Sequence, residues 1–217
     1  MRVLVACEES QEVCKAFRAK GHEAYSCDIL PCSGGRPEWH IQDDVLKHLD
    51  NGWDLMIAHP PCTYLSKASA CRLYKTAGIV DEERLAHGMK AKEFFFTLLN
   101  ADIPMIAVEN PTSLKIYELP LPSQVIQPWM FGHQFSKRTL LWLKGLPRLM
   151  PTKIMENYVP YLPSNTGGKK RGQSSRVEKE RVRDPKQASK TFEGIALAMA
   201  EQWGEKQSEA IDNEKKS

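Results

Sequence analysis

Four stretches of this sequence place chemically able side chains directly after a short apolar run. They are Cys7-Glu8 after Arg2–Ala6, Asp28 after residues 22–27, His59-Pro60-Pro61-Cys62 after residues 53–58, and Glu109-Asn110 after residues 104–108. Cys62 follows two prolines, whose fixed backbone angles aim its side chain. A cysteine that is pre-aimed, partly exposed and helped to its thiolate form is a nucleophile. Glu109 sits inside an otherwise apolar run, where a carboxylate is costly unless it has a partner. Asp28 closes the second run, where an acid can hydrogen-bond ribose hydroxyls or cap a turn. The segment Ala6-Cys7-Glu8-Glu9-Ser10 has no glycine fingerprint, and its two carboxylates would repel a pyrophosphate. An NAD or ATP site is therefore disfavoured. A phosphate-free, zwitterionic cofactor such as S-adenosylmethionine (AdoMet) is easier to place there.

These residues need strands and helices to bring them together. Arg2–Ala6 and residues 22–27, 53–58 and 104–108 read as buried strands bounded by turn residues. Ser10 or Glu9 can open a helix carrying Val13, Cys14 and Phe17 on one face, closed by Gly21. Residues 31–40 read as a loop, and Val45, Leu46 and Leu49 as a short helix after Asp44. A long helix is predicted over residues 81–99 with Leu85, Met89, Phe96 and Leu99 buried. This alternation predicts an α/β fold, a mostly parallel central sheet with helices on both faces. Residues 125–130 and 139–143 read as antiparallel strands, and Phe192, Ile195, Ala196, Met199 and Trp203 as the buried face of a final helix.

The 217 residues are 41% hydrophobic, enough for one core, so residues 1–203 are read as a single domain and 204–217 as a polar tail. No run approaches the roughly 18 apolar residues of a membrane span, nor does the N-terminus read as a secretory signal, so a soluble, cytoplasmic protein is expected. The six cysteines have irregular spacing with no C-x-x-C pair, which argues against a zinc site or a disulfide framework. No metal is expected, and several cysteines should be small buried residues. Net charge is only +3, yet residues 168–186, inside a flexible-looking loop at 152–189, carry eight Lys/Arg against three acids. Such a segment can neutralise phosphates without reading bases, or be a solvated connector. His40, near Trp39, reads as a satisfied polar group.

Pro60-Pro61-Cys62 with Ser66 four residues on, then Glu109-Asn110 after the next strand, resembles the DNA cytosine-5 methyltransferases, with their Pro-Cys catalytic loop and Glu-Asn-Val motif. Asp28-Ile29 looks like that family's ribose-binding step, and Asp44-Val45 like its adenine contact. Gln134 with Lys137-Arg138 is similar to its Gln-x-Arg-x-Arg strand, and residues 192–196 to its closing helix. The resemblance implies a Rossmann-like AdoMet-dependent methyltransferase fold and catalysis by Cys62, Glu109 and Arg138. It also implies a cofactor site at Cys7, Glu8, Asp28, Ile29, Asp44 and Pro60, with DNA, duplex or single-stranded, as partner. Substrate contacts would come from Ser66, Asn110, Lys137 and, in the basic loop, Lys169, Lys170 and Arg171. The chain departs from the pattern at His59, where many members have glycine, and at Pro111, which replaces valine. Between Arg138 and Phe192 it is too short for a usual target-recognition domain, so it is similar to short methylase-like proteins often carried by phages. That shortness leaves open a free pyrimidine nucleotide or RNA as substrate. A non-catalytic relative that binds AdoMet or nucleic acid, for example against host restriction, is a further alternative. An amino-methyltransferase ranks last, because its Asp/Asn-Pro-Pro-Tyr motif is not present.

Overall fold

The computed structural model describes residues 1–74, 78–160 and 190–204. Its centre is a seven-stranded sheet. In chain order the strands are β1 (Arg2–Ala6), β2 (Glu23–Asp28), β3 (His40–Gln42), β4 (Leu55–Ala58), β5 (Met105–Asn110), β6 (Gln124–Ile126) and β8 (Thr139–Lys144). They lie in the order β3-β2-β1-β4-β5-β8-β6. Neighbours from β3 to β5 pair in parallel, and β8 runs antiparallel to both β5 and β6. This is the Rossmann-like, mostly parallel α/β architecture that the sequence predicts.

Alternation along the strands assigns each face to its helices. Val3 and Val5 of β1, with Leu55 and Ile57 of β4, join a core with α1 (Glu12–Ala19) and the final helix α4 (Glu193–Gln202). Leu4 and Ala6, with Met56 and Ala58, face the opposite core, under α3 (Glu82–Leu99), with Leu73 of the short α2 (Ala70–Leu73). Strands buried on both faces must be apolar throughout, and all four residues of β4 are buried. Ile195, Ala196 and Met199 of α4, with Trp203 just past its end, are buried as expected, whereas Phe192, predicted with them, is half-buried.

Several elements differ from the sequence expectation. The α3 stripe is Gly88, Phe95 and Leu98, whereas Met89 is 41% exposed and Leu85, Phe96 and Leu99 are half-buried. Gly88 sets this rotation: a Cβ there would lie 2.1 Å from the hydroxyl oxygen of the fully buried Tyr117, so helix and ring meet at glycine. In an exposed helix Gly→Ala would stabilise by about 1 kcal/mol. Gly88→Ala is instead expected to destabilise by about 1–3 kcal/mol through overpacking, measured as a lower urea midpoint. An unchanged or higher midpoint would mean that the Tyr117 contact does not set the rotation.

Residues 125–130 are not one strand; β6 ends at Ile126, and Pro128 opens a 3-10 turn over Pro128–Met130. The stretch read as loop ends in β3, which pairs with β2. A small parallel sheet of β7 (Phe135–Ser136) and β9 (Val159–Pro160) was not anticipated, and β9 falls within the segment read as loop. Ser10 and Glu9 do not open α1. The residue before that helix is Gln11, in left-handed conformation, and its own side chain does not cap the helix. The basic stretch 168–186, with Lys169, Lys170 and Arg171, and the tail from 205 lie outside the described residues. Among the described residues no helix is long and apolar enough to cross a membrane.

Candidate active site

In this strand order the chain departs from β1 in opposite directions, toward β2 on one side and β4 on the other. The carboxyl ends of β1 and β4 therefore flank the topological switch point, where such sheets open a crevice. The loop after β1 makes a tight turn without glycine. Cys7 and Gln11 have φ of 59° and 60°, a left-handed conformation costing roughly 1–2 kcal/mol for each side-chain-bearing residue. The Cys7 amide donates to the Cys27 carbonyl at 2.7 Å, and the Gln11 side chain brackets Arg36 by donating to its carbonyl and accepting from its amide. These bonds hold a geometry that glycines would otherwise supply.

Asp28 and Asp44 both lie close to Cys7. Burial pushes the Cys7 thiol far up, and the two aspartate charges add to that effect. One oxygen of each carboxylate accepts a local amide, Leu30 at 2.9 Å for Asp28 and Leu46 at 3.0 Å for Asp44. The turn-cap role weighed for Asp28 is thus real, and each carboxylate still has a second oxygen. Ile29, beside Asp28, is 73% exposed. Glu8 is used differently. It is 5% exposed, and its carboxylate accepts the Val13 and Cys14 amides at 2.7 and 3.2 Å. It therefore caps α1 from below, countering that helix's positive end. Burial holds its carboxyl above the ordinary range, against the lowering pull of His59 and the two amides.

Across the switch point, the loop after β4 is stitched to the loop after β5. The Lys67 amide donates to the Thr112 carbonyl at 2.7 Å and the Leu114 amide to the Leu65 carbonyl at 2.8 Å, while within the first loop the Ser66 amide donates to the Cys62 carbonyl at 2.9 Å. Helix α3 clamps the same loop. Arg84 donates to the Thr63 carbonyl at 2.9 Å and lies over the Tyr64 ring, on which His87 stacks at 5.2 Å. Asn110 is fully buried, and its amide reaches the Pro60 carbonyl at 3.5 Å, the outer limit of a hydrogen bond. Ser66 is buried too. In this geometry Asn110, Ser66 and Pro60 shape the Cys62 turn, whereas Cys62 itself is half-buried at its surface.

The partner demanded by Glu109 is His59. Ala58 stands opposite Val108 in the parallel β4–β5 pairing, so the next residues, His59 and Glu109, fall side by side. His59 Nδ1 lies 3.4 Å from Glu109 Oε2, and both side chains are largely shielded from solvent. Burial alone would lower the imidazole's pKa, but the hydrogen bond and charge of Glu109, with the charge of Glu8, hold it above its ordinary value. Burial would likewise raise Glu109, but His59 and then Lys137 hold it below the usual carboxylate range. The His59 contribution to stability is complete at acid pH and is lost as pH rises through its raised value. That of Glu109 is complete above the ordinary glutamate range and is lost as pH falls through its lowered value. The pair is therefore ionised and stabilising between these limits. The Cys62 thiol is held up by burial and then by the Glu109 charge, and Lys137 pulls it down.

Lys137 is thus the cation whose charge reaches Cys62, Glu109 and His59; it also lies 5.9 Å from the centre of the Phe192 ring. Arg138, its neighbour, is exposed, as is Gln134. His59 is the residue that the sequence named without a role, and aligning the ends of the two adjacent strands was the signal that could have paired it with Glu109. His40 is satisfied through both ring nitrogens, by Ser26 and Leu30 at 2.9 Å each. All six cysteines are free thiols. Among the described residues no group of three His, Cys, Asp or Glu could hold a metal ion.

No protein-family model and no curated protein matches the sequence. Among solved structures it is similar to a proposed DNA modification methyltransferase encoded within an E. coli prophage. That likeness has 13% identity and a TM-score of 0.46, over 71% of this chain and 52% of the other. It is also similar to the Entamoeba histolytica methyltransferase EhMeth, with 13% identity and a TM-score of 0.47, over 76% of this chain and 63% of the other. The matched regions thus take in about half to just under two-thirds of those structures. The fold assignment rests on strand order and direction.

Proposed function

We propose that this chain is an AdoMet-dependent methyltransferase acting on carbon 5 of cytosine in DNA. The observation that carries this reading is the convergence of Cys62, Glu109 and Lys137 on one side of the switch point, with Asp28 and Asp44 on the other. The residues present fit the cofactor. The acids around Cys7 favour a positive, phosphate-free group, Asp28 can meet ribose hydroxyls, and exposed Ile29 offers a flat ring an apolar surface. When bound, AdoMet supplies a methyl group on a positively charged sulfur.

The chain's own residues do the rest. Cys62 loses its proton to water and its sulfur bonds to C6 of the ring. The C5–C6 electron pair shifts into the C4–C5 bond, and the C4–N3 pair moves onto N3, which takes a proton delivered through the Glu109 carboxyl. Glu109 also accepts the exocyclic N4–H, so it fixes the ring and stabilises the intermediate. Carbon 5, now electron-rich, takes the methyl group. Its C5 proton then passes to water, the C–H electron pair re-forms the C5–C6 double bond, Cys62 departs as thiolate, and N3 returns its proton to Glu109. Lys137 favours the thiolate, and Arg138 remains a candidate for steadying the base. In duplex DNA the base must first be flipped out. Lys169, Lys170 and Arg171, outside the described residues, would hold phosphates.

The test is transfer of labelled methyl from AdoMet to DNA, RNA and dCMP, with the product base identified. Label in DNA as 5-methylcytosine is expected. Label in dCMP or RNA alone would transfer the reading to that substrate, and label in none would overturn it. Asp28→Ala and Asp44→Ala are each expected to weaken AdoMet binding roughly tenfold or more, the scale of a hydrogen bond to a charged group. Calorimetry showing unchanged affinity in both would remove the cofactor assignment.

A further inference from the structure

His59 occupies a place that the proposed reaction leaves without a task. It is shielded from solvent, its Nδ1 faces Glu109 Oε2 at 3.4 Å, and its Nε2 is buried without a hydrogen-bond partner. The titratable groups acting on it are Glu109 at the end of β5, Glu8 from the loop after β1, and Lys137 ahead of β8. An imidazole facing one carboxylate beside the proposed nucleophile, and within electrostatic reach of a second, is a store for one proton.

We propose that His59 is a positioning residue that aligns Glu109 in the free protein and gives it a proton when a cytosine ring enters, so that Glu109 can donate to ring N3. The inference rests on the methyl-transfer reading. The need for it comes from the site itself. An ionised Glu109 can accept from N4–H but has no hydrogen for N3, and its charge adds to burial in holding the Cys62 thiol up. Moving the proton from His59 Nδ1 to Glu109 Oε2 supplies the missing hydrogen and removes that charge. As the S–C6 bond forms, the proton passes on to N3; on elimination of Cys62 it returns through Glu109 to His59, so nothing is consumed. The 3.4 Å separation is long for a charge-assisted hydrogen bond, as expected of a contact that tightens only when the partner is present.

Two measurements on the full-length protein test this. The first follows the His59 ring nitrogens by NMR across pH in wild type and Glu109→Gln. The imidazolium is expected to persist above the ordinary histidine value in wild type and to lose that elevation in the variant. A ring that titrates alike in both overturns the proposal without reference to activity. The second is the pH profile of the single-turnover methylation rate in wild type and His59→Asn, which keeps an amide donor toward Glu109 but no titratable proton. The fall in rate with rising pH should move to lower pH by at least about one unit, a tenfold slowing on the alkaline side. A variant slowed equally at every pH would show a purely structural role, and one with the wild-type profile would show none; either overturns the relay. If the NMR result holds but wild type methylates nothing, the methyl-transfer reading has failed and the relay with it, and the intact pair identifies which premise was wrong.

Discussion

Cys62→Ser is expected to lower methyl transfer by a factor on the order of 10³ or more, in keeping with the loss of a nucleophile in other covalent catalysts. AdoMet affinity should stay near wild type. A hydroxyl is a far weaker nucleophile than a thiolate at neutral pH, and nothing else at the end of β4 can replace it. Stability should change little. Cys62 is half-buried at the surface of its turn, and the bonds that hold this turn run through backbone amides and through Arg84, not through the thiol. Kinetics with labelled AdoMet, read beside calorimetry, separate the two effects. Substantial turnover in the serine variant would contradict the covalent mechanism, and lost AdoMet binding would mean that the variant had disturbed the cofactor side.

Glu109→Gln is expected to slow the reaction by roughly 10²–10⁴, the range for a positioned acid–base group, with the fold retained. The amide can still accept from N4–H but cannot relay a proton to N3. It also leaves His59 without its counter-charge, so the stability the pair contributes between its two pH limits should shrink. Unfolding midpoints across pH in wild type and variant would show the difference narrowing toward both limits. Unchanged kinetics would show that Glu109 does not hold the reacting base.

Much of this arrangement is legible in the residues themselves. The buried strands β1, β4 and β5 are apolar because helices cover both their faces, so length and bounding residues suffice to find them. The reactive residues after them follow directly, because a parallel sheet gathers its strand ends. What escaped has physical causes. The β3 strand is three residues long and begins with a histidine, so no apolar run marks it. The rotation of α3 is set by Gly88, which has no side chain and contributes nothing to an apolar pattern although it is the point of closest packing. That Glu8, which the resemblance places at the cofactor site, also accepts two amides beneath α1 was not visible, because the need of buried helix amides for an acceptor leaves no mark in the pattern. Partnership across strands was the largest omission. Glu109 visibly needed a partner, but His59 lies 50 residues earlier in the chain and is joined to it only by the β4–β5 register. Lys137 and Arg138 are adjacent; the resemblance gave the catalytic role to Arg138 and a substrate contact to Lys137, and it is the Lys137 charge that reaches the thiol.

The central claim is that Cys62 attacks a cytosine ring, and DNA containing 5-fluorocytosine tests it most directly. After methyl transfer, carbon 5 would carry fluorine in place of hydrogen, no base could remove it, and the Cys62–C6 bond would persist. Incubated with AdoMet and this DNA, the protein is expected to form a denaturation-resistant complex. Mass spectrometry of the digest should place the modified base on the peptide containing Cys62, with no complex formed by Cys62→Ser. Methylation of ordinary DNA without any such adduct, or an adduct on another residue, would contradict the account.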